Sequence, residues 1–293
     1  MNTYRGRFAP SPSGPLHFGS LIAALGSWLD ARHHKGEWFV RIEDIDPPRE
    51  VIGAADEILS TLEKFGLVWD GQVTYQSDNQ HHYQQVLQQL FDENEIYRCT
   101  CTRKQIQSTK GIYTNICRDK HHSEATGHSL RLKVRQPVTA FEDCYQGYCN
   151  TTLSSASEDY IVKRKDGLYA YMLAVVIDDI EQQITHIIRG ADLLETTTQQ
   201  LYLFSLLKAP LPIFGHLPVA VNNQGLKLSK QNHAPSISHA PVNEMLWSAL
   251  NFLKQSPPEA LRKEDKSLIL DWATQHWQID KFTGKRQFLH QDV

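Results

Sequence analysis

The chain has 293 residues, 41% of them apolar, and a formal net charge of −3, which is enough length and apolar content to bury a substantial core and excludes a disordered chain. No apolar run reaches the roughly eighteen residues that cross a bilayer, and no signal-peptide h-region opens the sequence, so a soluble, cytoplasmic protein with no membrane partner is expected. The acidic balance is not the footprint of a nucleic-acid binder: RNA contact would fall to local patches such as Lys163-Arg164-Lys165, which as a charge pattern reads first as a solvated face.

The stretch RFAPSPSGPLHFGS, residues 7–20, opens as a short strand over 7–9 and continues as a turn stiffened by its prolines and wound tightly by Gly14 and Gly19. Leu21, Ala24, Leu25, Trp28 and Leu29 recur at helical spacing until Gly36, which reads as a C-cap. Residues 38–42 read as a buried strand. Asp46 before Pro47 reads as a helix start, and Val51, Ala55, Ile58, Leu62 and Phe65 form its apolar stripe up to Gly66. Another helix from about Asp78 turns Tyr83, Val86, Leu87, Leu90 and Phe91 inward. Strands alternating with such helices predict an α/β fold with a parallel sheet and right-handed crossovers.

From Cys99 to about Asp159 the pattern changes to cysteines, a polar His-rich segment and one strand, in which Leu130, Leu132 and Val134 alternate with Arg131, Lys133 and Arg135; this reads as an insertion. Regular α/β character returns with strands over 171–177 and 184–188. A helix opened by the capping pair Asp192 and Glu195 and carrying Leu194, Leu201 and Phe204 follows. After Gly225 comes LKLSKQN, and from about Val242 the remainder reads as helices.

His17 stands at the mouth of the first helix, where free backbone N–H groups and the positive dipole end suit phosphate. The loop is neither G-x-G-x-x-G nor G-x-x-x-x-G-K-[ST], and by itself a histidine there is as readily a helix cap. Five cysteines are an odd count, which suits reduced thiols or a metal better than disulfides. Cys99, Cys101 and Cys117 offer three of the four ligands of a structural zinc site, and spacing alone offers His121 or His122 as the fourth. Cys144 and Cys149 are assigned no role.

Pro-Ser-Pro-Ser-Gly-Pro-Leu-His-Phe-Gly-Ser resembles the HIGH region of class I aminoacyl-tRNA synthetases, and Lys227-Leu228-Ser229-Lys230-Gln231 resembles their KMSKS loop. RFAPSPSG, RIEDID and IIRGADLL narrow the likeness to the glutamyl branch. The resemblance covers about residues 5–235 and departs from the signatures at Ser20, where histidine is usual, and at Gln231, where serine is usual. Only about sixty residues follow the KLSK loop, where a complete glutamyl enzyme continues into a helical anticodon-binding domain. With Cys99, Cys101, Tyr113 and Cys117, that resembles a truncated paralogue family that attaches glutamate to the queuosine base at the wobble position of tRNA(Asp).

The resemblance implies the Rossmann-like parallel sheet of class I synthetases with a zinc-containing insertion and a short helical C-terminal segment. Its limits are 1–97 and 166–235 for the catalytic halves, 98–165 for the insertion, and 236–293 for the C-terminal helices. It implies a monomer that uses ATP with magnesium, activates L-glutamate without tRNA, and takes tRNA(Asp) bearing queuosine. ATP would meet His17, Gly19, Ser20, Lys227, Ser229 and Lys230, with His17, Gly19 and Lys230 catalytic. Glutamate would meet Arg7, Ala9, Ser11, Tyr171, Glu43 at the ammonium, and Arg189, whose planar fork at a strand end suits the side-chain carboxylate. Zinc would be held by Cys99, Cys101, Cys117 and Tyr113. The alternatives are a short synthetase charging a tRNA 3′ end and a non-catalytic paralogue. Residue by residue, Arg189 could instead pair with Asp192, Glu43 with a basic neighbour, and Tyr171 could pack in the core.

Overall fold

The structure is a computed structural model and describes residues 3–107, 113–228 and 235–289. Strand β1 (Arg5–Phe8) pairs in parallel with β2 (Glu37–Ile42), and β2 with β3 (Thr74–Tyr75). Helix α1 (Phe18–His33) makes the first crossover. Its end is set by Lys35 at φ 54 rather than by a glycine cap. Gly36 serves a different need: a Cβ there would lie 2.6 Å from the Tyr4 carbonyl oxygen, so only glycine lets the chain pass so close.

The helix expected to start at Asp46 forms in two pieces. Pro47–Arg49 is a single 3-10 turn, Gly53 caps in the left-handed region, and α2 spans Ala54–Lys64. Asp46 is drawn away from capping because its carboxylate pairs with Arg49 and Arg164, and Val51 is left exposed. Helix α3 (Gln80–Asp92) buries Tyr83, Leu87 and Leu90.

An antiparallel module follows, in which β4 (Ile96–Cys99) pairs with β5 (Ser129–Leu132), and β5 with β8 (Ile161–Lys163). Between them lie α4 (Arg103–Gln107), the hairpin of β6 (Ala140–Asp143) and β7 (Gly147–Asn150), and the single turn α5 (Leu153–Ala156). The module's own core is small, a cluster of Tyr97, Cys99, Tyr113 and Cys117 with Cys101 and Ile106 packed against it. Leu132, Val134 and Val162 share one apolar cluster with α3 and with helices α6 (Tyr171–Glu181) and α7 (Thr197–Leu206).

Two expectations fail in this half. Residues 171–181 are helix, not strand: the run Leu173 to Asp179 is buried on every side, and a short apolar run with β-branched residues cannot be told from a strand by periodicity. Asp192 and Glu195 do not cap a helix, because Ala191–Thr196 is a 3-10 turn with Gly190 at its cap and Asp192 turned to Lys227. The strand expected over 184–188 is β9 (His186–Gly190), parallel to β10 (Ile213–Leu217). Thr185 donates its N–H to the Arg5 carbonyl at 2.9 Å, which lays β9 beside β1.

Strand β11 (Val219–Val221) leads to the KLSK segment. The remainder is helical as expected through α8 (Val242–Phe252) and α9 (Lys266–Gln275), but it ends in β12 (Gln287–Leu289), which pairs with β11. These helices extend the main core: Leu246, Leu250, Ile269, Ala273 and Trp277 pack in one cluster with Leu21, Leu25 and Leu29 of α1. The Trp277 indole N–H donates to Asp30 at 3.1 Å, and the Tyr4 hydroxyl donates to the other carboxylate oxygen. No helix among the described residues is long and apolar enough to cross a membrane.

Candidate active site and cysteine cluster

The carboxyl ends of β1, β2 and β9 and the N-terminus of α1 open on the same side, where an open parallel sheet binds its ligands. His17 is the N-cap of α1, and its Nδ1 accepts the Ser20 backbone N–H at 3.2 Å. Gly19 is the point where the two signatures meet. A Cβ there would stand 3.1 Å from the Leu228 carbonyl oxygen and 3.1 Å from His17 Cε1, so Leu228 of the KLSK segment lies against the first turn of α1. The Lys227 ammonium pairs with Asp192 at 2.5 Å. Ser229, Lys230 and Gln231 lie outside the described residues.

Beside this opening sits a buried charge network. Arg7 is 3% exposed and meets Asp179 through Nε at 3.1 Å and Nη2 at 3.3 Å. Arg41, the first residue of RIEDID, to which the sequence assigned no role, reaches the same carboxylate at 2.8 Å and Gln182 at 2.6 Å. Burial opposes ionisation of Asp179, but Arg41 and Arg7 outweigh it and hold the carboxyl below its usual range. Glu43 is tied to the first loop by its backbone N–H on the Pro10 carbonyl at 3.0 Å. Its Oε1 is buried without a hydrogen-bond partner among the described residues, and Arg41, the basic neighbour, is 4.0 Å away.

Burial, only partly opposed by Arg41 and Arg7, pushes the Glu43 carboxyl up to about 7. A cation is attracted only by the ionised form, so binding of an ammonium there tightens as pH rises through about 7. The KM for an amino-acid substrate measured across that range should fall with rising pH, and Glu43→Gln should flatten the profile. For folding, the sign is reversed: the raised carboxyl contributes fully below its unfolded value of about 4.3, and that contribution is lost as pH rises through about 7.

Arg189, at the end of β9, is 5% exposed and has all five donors engaged by neutral acceptors. They are His216 Nε2 at 3.0 Å, Gln200 Oε1 at 2.7 Å, Thr197 Oγ1 at 2.9 Å, the Tyr171 hydroxyl at 3.4 Å and the Leu193 carbonyl at 3.3 Å. No carboxylate of the described residues pairs with it, and the alternative partner Asp192 is taken by Lys227. Burial lowers its affinity for the proton, while the charges of Arg7, Asp179 and Glu43 all act on it. Tyr171, at the first turn of α6, has its hydroxyl in the fields of Arg189, Glu43 and Arg7. The structure therefore brings Arg7, Glu43, Tyr171 and Arg189 together. Ala9 and Ser11 lie on the adjoining loop, Ala9 half-buried and Ser11 exposed. Among the described residues such a site has a cation without a counter-ion near a buried carboxyl with one oxygen unpaired, which is complementary to one carboxylate and one ammonium of a ligand.

The thiols of Cys99, Cys101 and Cys117 lie within 4.8 Å of one another. Both proposed fourth ligands border them: the Tyr113 hydroxyl is 3.5 Å from Cys99 Sγ, and His122 Nε2 is 3.3 Å from Cys117 Sγ. His121 is exposed and makes no contact with the thiols among the described residues. Arg131, buried on the strand face that alternation alone assigned to solvent, stacks over the Tyr113 ring at 3.7 Å. Three thiols with either the phenol or the imidazole at hand could supply the four donors of a tetrahedral soft-metal site.

Residues 3–253 match the family tRNA synthetases class I (E and Q), catalytic domain. The glutamyl-Q tRNA(Asp) synthetase of Photobacterium profundum is 52% identical over 277 residues, covering 94% of this chain and 89% of that protein. That of Vibrio vulnificus (strain CMCP6) is 47% identical over 279 residues, 95% of this chain and 91% of the other. The chain belongs to the glutamyl-Q tRNA(Asp) synthetases. Membership of this synthetase family makes it a ligase of the class I fold. Among solved structures, the glutamate-tRNA synthetase from Elizabethkingia anophelis superposes with a TM-score of 0.81 at 23% identity, over 99% of this chain and 68% of that one. A glutamate tRNA ligase from Elizabethkingia meningosepticum gives 0.79 at 23% identity, and this chain spans 66% of it. These likenesses show the α/β fold that the glutamyl-Q tRNA(Asp) synthetases share with glutamate-tRNA ligases.

Proposed function

We propose that the chain activates L-glutamate with ATP, without tRNA, and transfers it to the queuosine base at the wobble position of tRNA(Asp). The observation that carries this reading is Arg189, a buried guanidinium with five neutral partners and no counter-ion among the described residues, in the field of Glu43, whose Oε1 has no hydrogen-bond partner among them. A glutamate side-chain carboxylate would displace the two longest contacts, to the Tyr171 hydroxyl and the Leu193 carbonyl, and supply the missing charge. Glu43 takes the substrate ammonium. Arg7, neutralised by Asp179, shapes the pocket floor, and Ala9 and Ser11 line it.

The free α-carboxylate then attacks the ATP α-phosphorus. One P–O bond forms to the carboxylate oxygen, the bond to the β-phosphate oxygen breaks, and magnesium pyrophosphate leaves. The chain's part is placement and charge. The α1 amides about Gly19 and Ser20, with His17 holding that turn, face the phosphates, and Lys227, Ser229 and Lys230 close from the other side. The domain limits 1–97, 98–165, 166–235 and 236–293 belong to this proposal.

ATP–pyrophosphate exchange with glutamate, glutamine and aspartate, with and without tRNA, tests it. Exchange with glutamate alone and no tRNA supports the reading; no exchange with glutamate overturns it. Exchange that requires tRNA would point to 3′-end charging. Rejection of glutamine follows because its amide brings no charge to the buried Arg189 and, on displacing the same two contacts, would set an N–H donor against a guanidinium donor.

We also propose one structural zinc ion on Cys99, Cys101, Cys117 and Tyr113, a donor set whose thiols already converge. Elemental analysis of the purified protein should find one equivalent. Cys117→Ser should lose it and lower the thermal midpoint, because the module's small core of Tyr97, Cys99, Tyr113 and Cys117 is the part the ion would crosslink.

A further inference from the structure

The Arg189 guanidinium is aimed by a chain of buried hydrogen bonds that starts in the β6–β7 hairpin. His216, on β10, has no exposed surface; its Nδ1 lies 2.5 Å from Asp143 Oδ2 and its Nε2 lies 3.0 Å from Arg189 Nε. An arginine Nε always bears hydrogen, so His216 Nε2 must present its lone pair, and the ring's single proton sits on Nδ1 and is donated to Asp143. Asp143 is fixed in turn. Its Oδ1 accepts the backbone N–H groups of Tyr145 at 3.0 Å, Gln146 at 2.8 Å and His216 at 3.1 Å. The Phe214 ring stacks against the imidazole, and Phe141 stands edge-on to it. Burial, reinforced by the Arg189 charge, holds the imidazole below its usual range. Asp143 stays ionised in spite of burial because the His216 hydrogen bond and those backbone donors favour its anion.

We propose that Asp143 and His216 are positioning residues of the amino-acid pocket: Asp143 locks His216 in the Nδ1–H tautomer, and His216 thereby turns the Arg189 fork toward the incoming carboxylate. The other tautomer would set an Nε2–H against the Arg189 Nε–H, two donors face to face, and the guanidinium would swing away. Asp143 lies outside every signature of the catalytic halves. A residue of the insertion therefore acts on amino-acid selection through a neutral histidine, by the same tautomer logic that an aspartate imposes on a catalytic histidine in hydrolase triads. The proposal rests on reading Arg189 as the substrate clamp.

Nitrogen-15 spectra of histidine-labelled protein should show His216 as the Nδ1–H tautomer. Asp143→Asn keeps an oxygen for the three backbone donors, but its amide can donate to Nδ1 and move the ring proton to Nε2. In that variant the KM for glutamate in pyrophosphate exchange should rise about tenfold or more, with kcat and the KM for ATP within about twofold of the parent. His216→Phe should raise the same KM, and Asp143→Asn should add nothing in that background, since it acts only through the ring. An Nε2–H tautomer in the parent protein, an unchanged KM for glutamate in Asp143→Asn, or additive effects would each overturn the proposal. Should the parent show no glutamate-dependent exchange, the substrate reading fails by itself. The spectra still judge the dyad, a change to the Nε2–H tautomer in Asp143→Asn supporting it and an unchanged tautomer overturning it.

Discussion

Replacing Arg189 by lysine is expected to raise the KM for glutamate in pyrophosphate exchange by roughly a hundredfold or more, while the KM for ATP holds. The guanidinium satisfies His216, Gln200 and Thr197 at once with its remaining donors turned toward Tyr171 and Leu193. An ammonium on a flexible stem reaches at most part of that set and cannot grip a carboxylate with two parallel bonds. It also sits where burial strips the proton from a lysine unless an anion is near, and none of the described carboxylates pairs at that point. The variant is thus expected to lose the charge as well as the geometry. Denaturant unfolding run beside the kinetics shows whether the fold survives, and an unchanged KM in a folded variant removes Arg189 from the clamp.

Asp179→Asn is expected to lower stability by about 3–5 kcal/mol, the largest single-residue loss in this half of the molecule. One carboxylate serves two buried guanidinium groups, Arg7 and Arg41, and its removal leaves both charges without their main partner. Asp178 is no substitute, since it stands 3.7 Å from Arg41 Nε and is already held by Gln76, Asn79 and Tyr83. The pH dependence carries the same signature. Asp179 is depressed in the fold, so its contribution is present above the unfolded carboxylate value of about 3.9 and is lost as pH falls through the lower folded value. Urea midpoints recorded from neutral to acid pH should show a shallower acid loss in the variant, and an equal slope would count against the assignment.

The parts of this arrangement that follow local rules were readable from sequence. The β1 strand, the stiff turn and α1 announced themselves through prolines, glycines and a helical stripe, and RIEDID and IIRG placed Glu43 and Arg189 at strand ends. What escaped was decided by tertiary context. The run YMLAVVIDDIE reads as a strand because Val175, Val176 and Ile177 are β-branched, yet it is a helix buried on all sides, and Asp178 and Asp179 are tolerated only because arginines from β1 and β2 meet them. Arg131 on β5 looked like the wet side of an alternating strand but is buried against Tyr113. Asp143 and His216 carry no local pattern, being 73 residues apart and joined only when the hairpin folds over β10. The terminal β12 was missed because three residues pairing with a strand far upstream leave no periodic trace.

The bond from Trp277 to Asp30 has a consequence for any attempt to prune the molecule. Asp30 lies on the same helix whose first turn carries His17 and Gly19, and α8 and α9 cover the flank of that helix with Leu246, Leu250, Ile269 and Ala273. A recombinant fragment stopped just after the KLSK loop would hold every catalytic signature and still leave a long greasy seam of α1 open to water, with a buried aspartate stripped of its indole cap. Such a fragment should be recovered from inclusion bodies rather than as a minimal enzyme. The C-terminal helices are the outer wall of the half that carries α1, and the boundary of a unit that keeps this core falls beyond Phe282.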